Sequence, residues 1–316
     1  MKKKWCFFLT CLLVISVVLY CGFIRLTQKN TSRTTEHIKN SFGTYYVPVS
    51  IIKLTETGLP CLSVEVEDKL FSMELDLGFR GDIAIESPFI HQIPTKSFIC
   101  IKSMYGFRGI ESQNTLYQMP KIGIGAMTFI QPILQEYSEK SRNDAVIVQE
   151  GSSLSPREIG RIGWELFHNV NLLLDIKNSK IAFCDSLETL KKQGNIVEDF
   201  IKTPLLIDRG LVEFMAESST GSLRCMLDTG STWNILNTEI EAGKSIEQVA
   251  WESENILEYP SFHIGNTDFG QIAFHRIPIN IPIPIDAILG MEFFEDHLVF
   301  IDFAEKHVYF QKTTQK

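Results

Sequence analysis

Two segments of this chain repeat without a gap. Arg161-Ile162-Gly163-Trp164-Glu165-Leu166-Phe167 matches Ile288-Leu289-Gly290-Met291-Glu292-Phe293-Phe294, residues 171–176 match 298–303, and residues 180–183 match 307–310, all at an offset of 127. A constant offset marks one supersecondary unit present twice, and this constrains the fold more than any composition does. Each copy reads as a short helix starting after the glycine, then two strands joined by a polar turn: Lys177-Asn178-Ser179 in one, Ala304-Glu305-Lys306 in the other.

Upstream, each copy holds a hairpin that runs into an aspartate. In the first, Leu62, Val64 and Val66 alternate with polar residues, Asp68-Lys69 is expected to turn the chain, and Phe71, Met73 and Leu75 alternate again up to Asp76. In the second, Leu211, Val212 and Phe214 lead to a turn at Ser218-Ser219-Thr220-Gly221, and the run from Leu223 to Leu227 ends at Asp228. The loops Asp76-Leu77-Gly78 and Asp228-Thr229-Gly230-Ser231 therefore occupy equivalent places, and a pseudo-twofold arrangement brings both carboxylates to one cleft. Two carboxylates held that close cannot both ionise, so they share a proton and suit acid–base work on water. The aspartates are 152 apart, which leaves about 25 extra residues in the first copy; the polar stretch 138–156 is the expected surface insertion.

With 316 residues and 44% hydrophobic content, the chain can bury a full core. Six of its 30 Lys/Arg and none of its 38 acids lie in the first 33 residues, so the remainder balances 24 basic against 38 acidic groups, which excludes nucleic acid as the expected partner. Residues 5–24 are uncharged, long enough to span a bilayer as a helix, and follow Lys2, Lys3 and Lys4. The expected organisation is a cytosolic tip and transmembrane signal-anchor (1–25), a stalk (26–44), one lobe (45–185), a linker (186–203) and a second lobe (204–316); a cleaved signal peptide is the second choice, disfavoured by the length of the apolar run and by the bulky Val18-Leu19-Tyr20-Cys21 where a cleavage site wants small residues. Both lobes then lie on the extracytoplasmic side, periplasmic or extracellular. Cys61, Cys100, Cys184 and Cys225 are open to disulfides or to buried free thiols, and their spacing does not suit zinc.

Several sharper readings fall to plain ones. Gly123-Ile124-Gly125-Ala126 lacks the further glycine, lysine and helix of a phosphate loop and reads as a β-turn, with Gly265-Asn266 as its partner. No His-x-x-x-His pair and no Gly-x-Ser-x-Gly elbow occurs, so neither a metal centre nor a serine hydrolase is expected. Asp175 and Asp302 repeat, but inside apolar strands, and read as structural carboxylates bonded to turn backbone.

Asp228-Thr229-Gly230-Ser231, followed by Ile285-Asp286-Ala287-Ile288-Leu289-Gly290, resembles the Asp-Thr-Gly loop and the apolar-apolar-Gly motif of clan AA aspartic peptidases, the retropepsin-like and pepsin-like group. The likeness covers roughly residues 45 to 316, with both lobes in one chain; the first loop, with Phe79 after Gly78, looks like bacterial retropepsin-like loops. The resemblance implies a mostly β, bilobal fold and a peptidase that needs no cofactor or metal and acts on an extended peptide or protein substrate. It assigns Asp76 and Asp228 as catalytic and Leu77, Gly78, Thr229, Gly230 and Ser231 as loop support. Ile162, Gly163, Leu289 and Gly290 would pack under the loops, and Tyr105, Gly106, Phe107 and Gly109 would form a single flap tip, the stretch near Trp251 having no counterpart. Leu77 departs from the pattern: it has no hydroxyl, so the clasp between the loops is expected to be one-sided. Ser231 without a counterpart at Phe79 is expected to bond Asp228, making Asp228 the anion and Asp76 the acid. A second function class follows from Leu77, a peptide-binding or scaffold protein that keeps the cleft without turnover. Oligomeric state is not legible.

Overall fold

The computed structural model describes residues 44–55, 57–105, 111–137, 158–195, 197–208, 210–219, 221–238, 256–279 and 284–313. Among these, no helix is long and apolar enough to cross a membrane, and residues 5–24 and 138–156 lie outside them. The chain from Thr44 onward is one compact, mostly β unit of two lobes on a shared sheet.

The hairpins form where period-two patterning places them. Strand Pro60–Val66 pairs antiparallel with Lys69–Asp76, and Leu211–Ser218 with Gly221–Leu227. Leu62, Val64 and Val66 are buried, while Glu65 between them is exposed. The first turn is Glu67-Asp68, at φ 50° and 63°, one residue earlier than expected, because the two-residue hairpin turn whose twist matches the strands takes both central residues left-handed. The Gly125 and Gly265 turns lie between short strands at φ 58° and 59°, in the same setting in each lobe.

Each lobe then closes on itself in the same way. Gly160–Gly163 lies between Lys69–Asp76, to which it runs parallel, and Ile83–Glu86, to which it runs antiparallel. Ala287–Leu289 lies likewise between Gly221–Leu227 and Ile235–Asn237. Equivalent aromatic pairs fill the two cores: Phe129 packs edge-on to Phe183 and Phe269 to Phe310, with ring centroids 5.8 and 6.2 Å apart. Each fully buried Phe is worth about 1.5–3 kcal/mol of hydrophobic transfer.

A six-stranded sheet joins the lobes in the order Tyr46–Ser50, Lys180–Cys184, Asn171–Asp175, His297–Asp302, His307–Lys312, Ile201–Pro204. At its centre Leu173 lies opposite Phe300. These two residues are equivalents at the offset of 127, so the local twofold axis passes between them. Helix Leu187–Lys192, capped by Ser186, packs Leu190 onto one face with Leu173, Ala182 and Phe300. Asp175 accepts from the Asn178 amide (3.3 Å) and Asp302 from the Glu305 amide (2.9 Å), and the turns end on left-handed Ser179 and Lys306, again 127 apart. The four cysteines of the lobes are free thiols, three of them buried.

Candidate active site

The parallel pairing sets the two aspartates. Gly163 lies opposite Asp76 in the ladder, and the Asp228 amide donates to Leu289 carbonyl at 3.0 Å. Ile162 and Leu289 are fully buried beneath the loops. A Cβ on Gly163 would lie 2.2 Å from the Gly81 carbonyl oxygen, and one on Gly290 2.2 Å from that of Trp233. Both glycines are thus required by close backbone approach, with the loops resting directly upon them.

The loops meet across the twofold axis. A Cβ on Gly78 would lie 2.4 Å from the Asp228 carboxyl carbon, and one on Gly230 2.4 Å from that of Asp76, so each carboxyl lies against the opposite glycine. Asp228 Oδ1 accepts from the amides of Gly230 (2.8 Å) and Gly78 (3.2 Å), and the Asp76 carboxyl hydrogen-bonds Asp228. Thr229 Oγ1 accepts from the Leu77 amide at 3.1 Å and donates to the Leu75 carbonyl at 2.7 Å. Leu77 places a fully buried isobutyl group at the position equivalent to Thr229, and the clasp has one hydroxyl instead of two. Further out, Thr232 Oγ1 donates to the Thr57 carbonyl (2.7 Å) and Trp164 Nε1 to the Gly210 carbonyl (2.9 Å), tying each loop region to the other lobe.

Burial first, then the charge of Asp76, pushes Asp228 up to about 8, against the opposing pull of the Gly230 and Gly78 amides. The bond expected from Ser231 to Asp228 does not form. Ser231 Oγ donates to the Trp233 carbonyl (2.8 Å), a local partner two residues on, and gives Asp228 no charge-stabilising bond. Asp76 instead has the ionic partner: Arg161 Nη1 lies 3.0 Å from its Oδ2.

Arg161 appears in the sequence repeat, but nothing there marks it as a site residue. The available signal is its pairing with Ile288, a charge where the copy is apolar. Asn234 is likewise unmarked by any sequence motif; its Oδ1 accepts from the Gly290 amide (3.0 Å) and its Nδ2 donates to the Ala273 carbonyl (3.3 Å). Its counterpart Asp82 accepts from the Ile133 amide (2.7 Å), and burial raises it to about 7, the Ile133 amide opposing and Glu165 adding to the shift.

Strands Ser97–Tyr105 and Glu111–Gln118 form the expected hairpin, with Tyr105 opposite Glu111. The tip residues Gly106, Phe107 and Gly109, and the stretch near Trp251, lie outside the described residues. Among the described residues no group of three or more His, Cys, Asp or Glu could hold a metal ion.

This architecture is similar to that of basic 7S globulin from soybean, which has a pepsin-like aspartic-protease fold. The two match with a TM-score of 0.55 at 15% identity, over 86% of this chain and 95% of that one. The likeness is one of fold. No family model matches the sequence, and no curated protein does.

Proposed function

We propose that the chain is a membrane-anchored aspartic endopeptidase that hydrolyses peptide bonds with water activated between Asp76 and Asp228. The observation that carries this reading is the seating of each carboxyl against the glycine of the opposite loop, where burial and the charge of Asp76 raise Asp228 above the usual carboxylate range. One carboxylate takes a proton from the attacking water while the other, protonated, gives its proton to the carbonyl oxygen. The resulting gem-diol collapses as the first returns its proton to the leaving nitrogen and the second recovers one from a gem-diol hydroxyl. The apolar run 5–24 supplies the anchor, and the hairpin after Ser97 suits covering an extended substrate.

The full-length chain should cleave an unstructured protein, be inhibited by a statine-type mimic, and lose turnover in both Asp76→Asn and Asp228→Asn. Retained cleavage in either variant ends this reading. Leu77 favours a second one, a peptide-binding or scaffold protein built on the same cleft. Peptide binding without cleavage, unchanged by Asp228→Asn, selects it.

A further inference from the structure

Arg161 stands where the pseudo-symmetry of the lobes breaks. Its strand pairs with Lys69–Asp76 so that Arg161 lies opposite Glu74; in the second lobe the equivalent positions, also paired across strands, are Ile288 and Met226. There the pair belongs to an apolar cluster with Leu211, Ile235, Ile279 and Ile285. In the first lobe an apolar pair has become a charged one, and the arginine reaches the dyad.

We propose that Arg161 is a positioning residue that fixes the negative charge of the dyad on Asp76, leaving the shared proton on Asp228, so that Asp76 acts as the base toward water and Asp228 as the acid toward the carbonyl. The inference rests on the peptidase reading for its mechanistic consequence, and on geometry alone for the charge assignment.

The groups facing Arg161 are Asp76 from the loop, Glu74 from the adjoining strand, Asp228 from the opposite loop and Tyr137 from strand Ile133–Tyr137, whose ring centroid is 5.9 Å from the guanidinium carbon. Burial works against its charge, but Asp76 and then Glu74, Tyr137 and Asp228 outweigh burial and raise its pKa. The Arg161 side chain is 18% exposed and that of Asp76 9%, so water screens their contact little. Asp228 has two amide donors and no cation of its own within the described residues' ion pairs, so the two carboxyls differ in their surroundings although their loops match. The same guanidinium is already faced by anions on several sides, which makes it a poor receptor for an acidic substrate side chain and a good fixed counter-ion.

The test is a carboxyl-carbon NMR titration of the full-length chain labelled at aspartate, with the two signals assigned from Asp76→Asn and Asp228→Asn. At about pH 6 the Asp228 carbon should carry the protonated shift and the Asp76 carbon the ionised one. Arg161→Ile alone strands Glu74 in the core, so the decisive variant is Arg161→Ile with Glu74→Met, the apolar pair of the second lobe. In it the two signals should converge on a shared proton, and the acid limb of kcat/KM should move up by about one to three pH units. Arg161→Lys should restore most of both. A protonated Asp76 in the native chain, or an unchanged proton distribution in the double variant, overturns the proposal. Absent hydrolysis with the expected NMR pattern refutes the peptidase reading and leaves the charge assignment standing.

Discussion

Thr229 holds the two loops together with a single hydroxyl, and replacing it by valine isolates that contribution at nearly constant volume. In Thr229→Val the Leu77 amide loses its acceptor at 3.1 Å and the Leu75 carbonyl its donor at 2.7 Å. Leu75, Leu77 and Thr229 are all fully buried, so water cannot replace either bond. An orphaned buried polar group costs about 1–3 kcal/mol, giving about 2–6 kcal/mol for the two, a large share of a stability of about 5–15 kcal/mol. Thr229→Ser keeps the hydroxyl and removes one methyl, at about 1 kcal/mol. Urea unfolding followed by tryptophan fluorescence should therefore rank wild type above serine and serine well above valine. If valine unfolds within about 0.5 kcal/mol of serine, the loops are held by packing rather than by this hydroxyl, and the reasoning fails.

Gly290→Ala places a methyl 2.2 Å from the Trp233 carbonyl oxygen and 2.7 Å from that of Ser231, so it should displace the Asp228 loop, read as a loss of soluble yield and, on the peptidase reading, of turnover. Asn234→Ala orphans the Gly290 amide and should cost about 1–3 kcal/mol in denaturant unfolding. The pH dependence of stability follows from Asp228: an acid whose folded pKa is raised contributes stability that is complete below its unfolded value of about 4 and is lost as pH rises through about 8. Denaturation midpoints should fall across that window in the wild type, and Asp228→Asn should flatten the fall. Leu77→Thr tests the missing half of the clasp: appearance of turnover from an inactive wild type identifies the scaffold reading, and a small change in an active one shows that leucine is tolerated.

The hairpins, the glycine turns and the loop-supporting glycines are legible in the sequence because each follows from a local rule: alternation, a left-handed turn, a position with no room for Cβ. The one-sided clasp at Leu77 is legible for the same reason, since a side chain without oxygen cannot bond. Ser231 misleads because a hydroxyl has several acceptors in reach, and the nearby Trp233 carbonyl wins over the carboxyl. Arg161 shows in the sequence only as a charge where the second copy has Ile288, and its nearness to the dyad appears only once the sheet sets its strand beside that of Asp76. The region expected as a plain linker contains helix Leu187–Lys192 and strand Ile201–Pro204, whose partner His307–Lys312 is about a hundred residues on, beyond any local pattern.

The pairing of Leu173 with Phe300 also sets a timetable for synthesis. When the ribosome has finished the first half, strand Asn171–Asp175 has Lys180–Cys184 on one side and nothing on the other until residues 297–302 emerge. For that interval the nascent chain carries an open edge of Leu172, Leu173 and Leu174, a template for mispairing until its partner strand arrives.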